Sequence, residues 1–158
     1  MYIPFEKISD KARAWVYILS KDLKNNITKV LEKHLIEICE NWKSHGSLIN
    51  SSFVIYRNRF VILFAEENTV SGCSIDSTNN TLRKILTQLS IGIDSNSKIG
   101  IFINNKIIFN NRIKIVDLIK SKELKRSNKM INTTINNKKD YLNNWVLDID
   151  KSWLNNFI

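Results

Sequence analysis

The sequence predicts an α+β fold, an antiparallel sheet with helices on one face followed by a C-terminal extension. Three observations carry this. Short runs rich in β-branched and aromatic residues alternate with two long segments whose apolar residues recur at three- and four-residue steps. Two pairs of those short runs are joined by turn-forming residues, and a tight turn between strands means antiparallel pairing. A length of 158 residues with a single proline, Pro4, and no glycine-rich linker reads as one domain, 1–158.

Ala12 to Leu19 (ARAWVYIL) reads as the first strand. Lys21 to Lys43 follows as a helix, because Leu23, Ile27, Val30, Leu31, Leu35, Ile38 and Trp42 form one apolar stripe. It is expected to stop near His45-Gly46, where glycine takes the left-handed C-terminal conformation. SFVIYRN and RFVILFAEE then form a hairpin around Arg57-Asn58-Arg59, apolar on both faces and therefore central or covered. After the segment SGCSIDST, Leu82, Ile85, Leu86 and Leu89 mark a second amphipathic helix ending near Gly92. Lys98 to Asn104 and Lys106 to Asn110 make a second hairpin around Asn104-Asn105, a pair suited to positive φ. Ile113 to Leu124 reads as a short helix, Trp145 to Ile149 as a strand, and Trp153, Leu154 and Phe157 as the apolar side of a closing helical turn. The first six elements, β-α-β-β-α-β, match the ferredoxin-like (split β-α-β) plan.

Composition bounds the function classes. No segment approaches the roughly 18 consecutive apolar residues of a membrane helix, the N-terminus shows no secretory h-region, and two distant cysteines make no disulfide framework. The expectation is a cytoplasmic protein without a membrane partner. The net charge of +9 has a dull source, since Ile, Asn and Lys supply 64 of 158 residues while Ala, Gly, Pro and Arg supply 14. That is the mark of an AT-rich genome, as in reduced symbionts. Charge position says more: Lys106 to Asp140 holds ten Lys/Arg against three Asp/Glu, a net of +7. Arg112, Lys114, Lys120, Lys122, Lys125, Arg126 and Lys129 are either a solvated, drift-enriched face or a surface for RNA or a ribonucleoprotein. Tyr2, Phe5, Trp15, Tyr17 and Trp153 read as core or terminus anchors, and no RNA-recognition signature is present.

SGCSIDST, Ser71 to Thr78, concentrates one of four glycines and one of two cysteines. It follows a buried strand and precedes a helix, whose N-terminus offers unpaired amides and a partial positive charge. Ser74, Asp76 and Ser77 all suit an N-cap. With Ser74 as cap, Cys73 lies one residue before it, where the dipole favours thiolate over thiol. The same amides suit a small anionic ligand, with Ser71, Gly72, Ser74 and Ser77 as ligand-binding candidates, although the charge of Asp76 opposes an anion. The bland alternative is a buried thiol beside capping hydroxyls. A thiol nucleophile needs a base, and His45, in the loop after the first helix, is the candidate, with Asp76 or Glu66 orienting it. His34 is expected half-buried mid-helix and Cys39 in the core. No Cys-x-x-Cys or His-x-x-x-His pattern occurs, so neither a metal nor a cofactor is predicted. The functional expectation is therefore a ligand-binding or thiol-dependent protein; the alternatives are a non-catalytic basic module for RNA and a protein-interaction adaptor, and whether it is an enzyme stays open.

On the N-terminus MYIPFEKISDKARAWVY, ENWKSHG, SSFVIYRNRFVIL, SGCSIDS and the closing KSWLNNF, the chain resembles, over nearly its whole length, a family of Bacteroidetes proteins without an established activity. Some members carry the label "ABC transporter ATPase". The resemblance implies kinship and a cytoplasmic setting, not chemistry. The label fails on the residues: a P-loop needs G-x-x-x-x-G-K-[ST], and Gly46, Gly72, Gly92 and Gly100 are nowhere five apart, nor does any precede a lysine. The stretch from Lys106 to Asp140 is more basic than the family pattern, which favours drift as its origin.

Overall fold

The computed structural model describes residues 1–66 and 71–158. The fold is α+β, with antiparallel sheets and four α-helices among the described residues. It divides into two compact units, residues 1–94 with 136–139, and residues 95–135 with 140–158.

The first unit is organised by β5 (Phe60–Ala65), every residue of which is buried. Such a strand, apolar on both faces, has to be central. It lies between β1 (Arg13–Ile18) and β4 (Ser51–Tyr56), antiparallel to both, in the order β1-β5-β4. The register puts Trp15 and Phe53 opposite Leu63, and Tyr17 and Ile55 opposite Val61, so these side chains share one face. Against that face pack α1 (Asn25–Asn41), through Leu31, Leu35 and Ile38, and α2 (Gly72–Gln88), through Leu82 and Leu86. Val30, expected on the apolar stripe, points to solvent. On the opposite face Phe5 meets Phe64 at 5.2 Å between ring centroids, and Ile8 and Ala12 are buried. A buried lysine clasps this N-terminal segment: Lys138 Nζ donates to Ile8 O (2.8 Å), lies 3.4 Å from Asp10 Oδ1 and sits over the Phe5 ring.

Three strands and two helices thus follow the order of a split β-α-β unit, but the sixth element does not join them. The expected strand Lys98 to Asn104 is β6 (Ile99–Ile103), and it belongs to a second sheet. The outer edge of β1 is instead satisfied in two pieces. At one end Leu19 bridges Ile93, with Ser20 N donating to Gly92 O (2.9 Å) and Asp94 N to Ile18 O (2.8 Å). At the other, Arg13 bridges Asn137, with Ala14 N donating to Asn136 O and Lys138 N to Ala12 O, both at 2.9 Å. Arg59 secures the first end, donating from Nε to Leu19 O at 2.6 Å.

Several boundaries shift. Helix α1 begins at Asn25, not Lys21, and ends at Asn41, with Trp42 already extended (ψ 116°). His45 and Gly46 (φ +50° and +80°) form the tip of a small hairpin of β2 (Lys43–Ser44) and β3 (Ser47–Leu48), not a helix cap. Helix α2 begins at Gly72, so most of SGCSIDST is helix and Ser71, not Ser74, is the N-cap. Glu67, expected to end the second strand of the first hairpin, lies outside the described residues.

In the second unit β6 pairs with β7 (Lys106–Asn110) across the turn at Asn104 and Asn105, both left-handed as expected. Its other edge takes β8 (Lys129–Ile131), which pairs with β9 (Val146–Asp148), giving the order β7-β6-β8-β9. Ile99, Ile101 and Met130 form a core with Ile115 of α3 (Arg112–Lys120) and with Leu124, Ile149 and Leu154. The helix expected to reach Leu124 stops at Lys120, although Leu124 still reaches the core. A further helix, α4 (Lys138–Asn144), and a closing 3-10 turn at Trp153–Phe157 complete the chain.

At Gly100, opposite Phe109, a Cβ would lie 2.8 Å from Ile107 Cγ2. Gly100→Ala is therefore expected to cost about 1–3 kcal/mol by overpacking, read as a lower urea midpoint.

Candidate functional site

Helices α1 and α2 diverge enough to leave a cleft of about 470 Å³ between them, within the first unit. Its α1 side presents His34, Glu37, Ile38 and Asn41, continuing into Trp42 and Lys43; its α2 side presents Ser74, Ser77, Thr78, Thr81 and Ile85. The α2 residues fall at spacings of three and four, so hydroxyls line one face of the helix where an ordinary amphipathic helix carries aliphatic side chains.

The inner wall is fixed by a relay of hydrogen bonds. Trp42 Nε1–H donates to Ser74 Oγ at 2.6 Å, and Ser74 Oγ–H donates to Lys43 O at 2.8 Å. Ser74 N donates to the capping Ser71 Oγ at 3.2 Å, and Thr78 Oγ1 donates to Ser74 O at 3.0 Å. Trp42 stands against Trp15 of β1 at 5.7 Å between ring centroids. One turn further along α2, the Tyr17 hydroxyl donates to Asn79 Oδ1, and burial pushes the Tyr17 phenol up to about 12. On α1, His34 Nδ1 lies 3.2 Å from Glu37 Oε2, and Asn41 Nδ2 donates to Glu37 O at 2.8 Å. The cleft thus carries both signs of charge, from Glu37 and Lys43, beside neutral hydroxyl and amide groups.

The residues singled out in SGCSIDST separate by face. Ser74 and Ser77 line the cleft, Ser71 caps the helix, and Gly72 has open space where a Cβ would stand. Cys73 and Asp76 are exposed, as is His45 at its hairpin tip. No hydrogen bond or ion pair among the described residues joins Cys73, His45 and Asp76. Cys39 is fully buried, its thiol pushed up to about 11 by desolvation. His34 is half-buried at mid-helix. Trp42, Asn41, Glu37, Thr78 and Thr81 escaped the reading of the sequence. Their signal was the 74, 77/78, 81, 85 spacing on α2, visible only once the helix is started at Gly72.

The seven basic residues all belong to the second unit and are exposed. Lys129 pairs with Asp148, as does Lys151 (3.1 Å), and their hydrogen bonds hold the Asp148 carboxyl below its ordinary range. Among the described residues no group of three or more His, Cys, Asp and Glu is placed to hold a metal ion, and no helix is long and apolar enough to cross a membrane. Compared with protein-family models, curated proteins and solved structures, the chain matches none.

Ser74→Ala leaves the buried Trp42 indole N–H without its acceptor, an expected loss of about 1–3 kcal/mol, measurable in urea unfolding. A disulfide reagent such as dithionitrobenzoate should titrate one thiol rapidly in the folded protein, Cys73, and the second, Cys39, only on unfolding. A Cys73→Ser variant identifies the fast one.

Proposed function

We propose that the protein binds a small polar ligand between α1 and α2, with Ser77, Thr81, Asn41, Glu37 and Lys43 as contacts and the Trp42–Ser74–Lys43 relay as the wall that holds them. One observation carries the reading: the cleft's volume of about 470 Å³ falls in the range of small-molecule sites, about 300–1,000 Å³, and polar groups converge on it from both helices. Glu37 and Lys43 oppose in sign, which argues against selection of a simple anion and for a neutral hydroxyl-rich or zwitterionic molecule. The site is thus the hydroxyl face of SGCSIDST; the thiol-dependent reading has less support, because Cys73 is not among the residues lining the cleft.

The scaffold is read as a ferredoxin-like unit truncated after its fifth element, with the two bridges on the edge of β1 standing in for the missing strand. Two free cysteines fit the reducing interior of a cell, which agrees with the cytoplasmic setting and with kinship to the Bacteroidetes family.

The test is a titration of isotopically labelled protein with glucose, glycine and inorganic phosphate. Glucose or glycine is expected to shift the Trp42 indole N–H and the amides of residues 74–81, while phosphate does not, and Ser77→Trp, which fills the cleft, should weaken binding at least tenfold. Shifts confined to other surfaces, or binding lost in Cys73→Ser, would remove the reading.

A further inference from the structure

The second unit holds a feature that the α1–α2 cleft does not explain. A groove of about 360 Å³ opens at the N-terminal end of α3, lined by Asn96, Ser97, Asn111, Arg112, Ile113 and Trp153. Its chemistry is mixed in a particular way. Trp153 supplies an indole, and Arg112 places its guanidinium carbon 4.2 Å from the centroid of the Phe157 ring, a cation–π contact. Asn111 uses Oδ1 to accept from Lys114 N at 2.9 Å, leaving its amide NH₂ to donate. The Asn96 side chain has no partner among the described residues. Ile113 is 67% exposed, the most of any large apolar side chain among them.

The surroundings of the groove are cationic and uncompensated. Arg112, Lys114, Lys120, Lys122, Lys125 and Arg126 are exposed, and none forms an ion pair with a carboxylate among the described residues. Of the two acidic residues in the same stretch, Glu123 accepts from Ser121 Oγ at 2.8 Å, while Asp117 is exposed on α3. From Arg112 to Lys120 the helix rises about 12 Å.

We infer that this groove binds single-stranded RNA: bases stack against Trp153 and the Arg112 guanidinium, Asn96 and Asn111 meet base edges or the 2′-hydroxyl, and the exposed cations of α3 and the turn after it attract the phosphates. A double helix does not fit the requirement for unstacked bases. The hydroxyl and amide lining favours RNA over DNA, because the 2′-hydroxyl both donates and accepts.

The experiment is fluorescence anisotropy of the full chain with a labelled eight-nucleotide oligouridine at 50 to 200 mM KCl. Affinity is expected to fall with salt with a log–log slope of about −0.7 per phosphate contacted. Arg112→Ala and Lys114→Ala should each weaken binding by about fivefold and reduce the slope by about 0.7. Lys29→Ala, an exposed lysine on α1 removing the same charge, should change neither. Asn96→Ala should weaken RNA more than the matching oligodeoxythymidine. The inference is overturned by absence of binding, by an equal loss in Lys29→Ala, by DNA binding as tightly as RNA, or by salt-independent binding lost only in Ile113→Asp, which would mark an apolar protein-docking surface.

Discussion

The first unit depends on one constraint: β5 is apolar on both faces, and no residue of Phe60–Ala65 reaches solvent. Fully burying a side chain such as Leu, Ile or Phe is worth about 1.5–3 kcal/mol, so this strand alone rewards two covering layers. The helices supply one, through Leu31, Leu35, Leu82 and Leu86. The N-terminal segment contributes to the other, through Phe5 and Ile8. Backbone bonds of Met1 and Ile3 to Ser51 hold that segment, and so does Lys138, whose ammonium is buried against Phe5 and bonded to Ile8 O. A buried lysine is costly unless its donors are met. Here a carbonyl, a carboxylate and a ring face meet them, and the segment closes over the sheet.

The same constraint makes the cleft. With the inner faces of α1 and α2 committed to β5 and its neighbours, Ile38 and Ile75 included, the turns nearest the start of α2 are joined by a polar contact from Trp42 to Ser74. A single hydrogen bond between neutral groups contributes about 0.5–1.5 kcal/mol net, far less than an apolar interface would. It is directional, however, and holds the helices apart at a defined separation. A Leu in place of Ser74 would favour closing the gap. The cleft is thus a consequence of replacing apolar contacts on α2 with hydroxyls at positions 74, 77, 78 and 81.

Where apolar periodicity was strong, the sequence was legible. The α1 stripe from Leu31 to Ile38, the Leu82–Leu89 phase of α2, the double-faced hairpin and the Asn104-Asn105 turn all stand as read. The failures share a physical cause. Gly72, Ser74, Asp76 and Ser77 have poor helix propensity, so the first turns of α2 read as a loop; the cap hydrogen bond and the burial of Ser74 and Thr78 override that preference. The stripe of α1 ran on to Trp42, yet the backbone leaves the helix there because the indole turns to Ser74. Strand β6 was assigned to the wrong sheet because its second partner, β8, is three residues long and more than twenty residues away, and so short a strand carries no alternation to detect. The candidate site followed the same line: Ser74 and Ser77 are legible as ligand-binding candidates at the start of the helix, whereas Thr78 and Thr81, further along the same face, are not.

The basic residues raise a different question, since codon bias explains their number without explaining their arrangement. Drift adds lysines without regard to counter-charge, and selection for stability then tends to place carboxylates beside them, because unrelieved like charges oppose the compact state. In the first unit Arg59 lies near Asp22 and Asp94, and Lys138 near Asp10, while Lys29, Lys33 and Lys84 form no ion pair with a described carboxylate. In the second, Asp148 serves both Lys129 and Lys151, while six cations from Arg112 to Arg126 have no carboxylate partner among the described residues. Surface repulsion of this kind is modest, screened over about 8 Å at physiological salt, so it does not threaten folding. It does mean that any polyanion reaching α3 relieves a standing repulsion at no cost in broken ion pairs. Concentration is what sets these cations apart: six Lys/Arg against two Asp/Glu lie within residues 112–126.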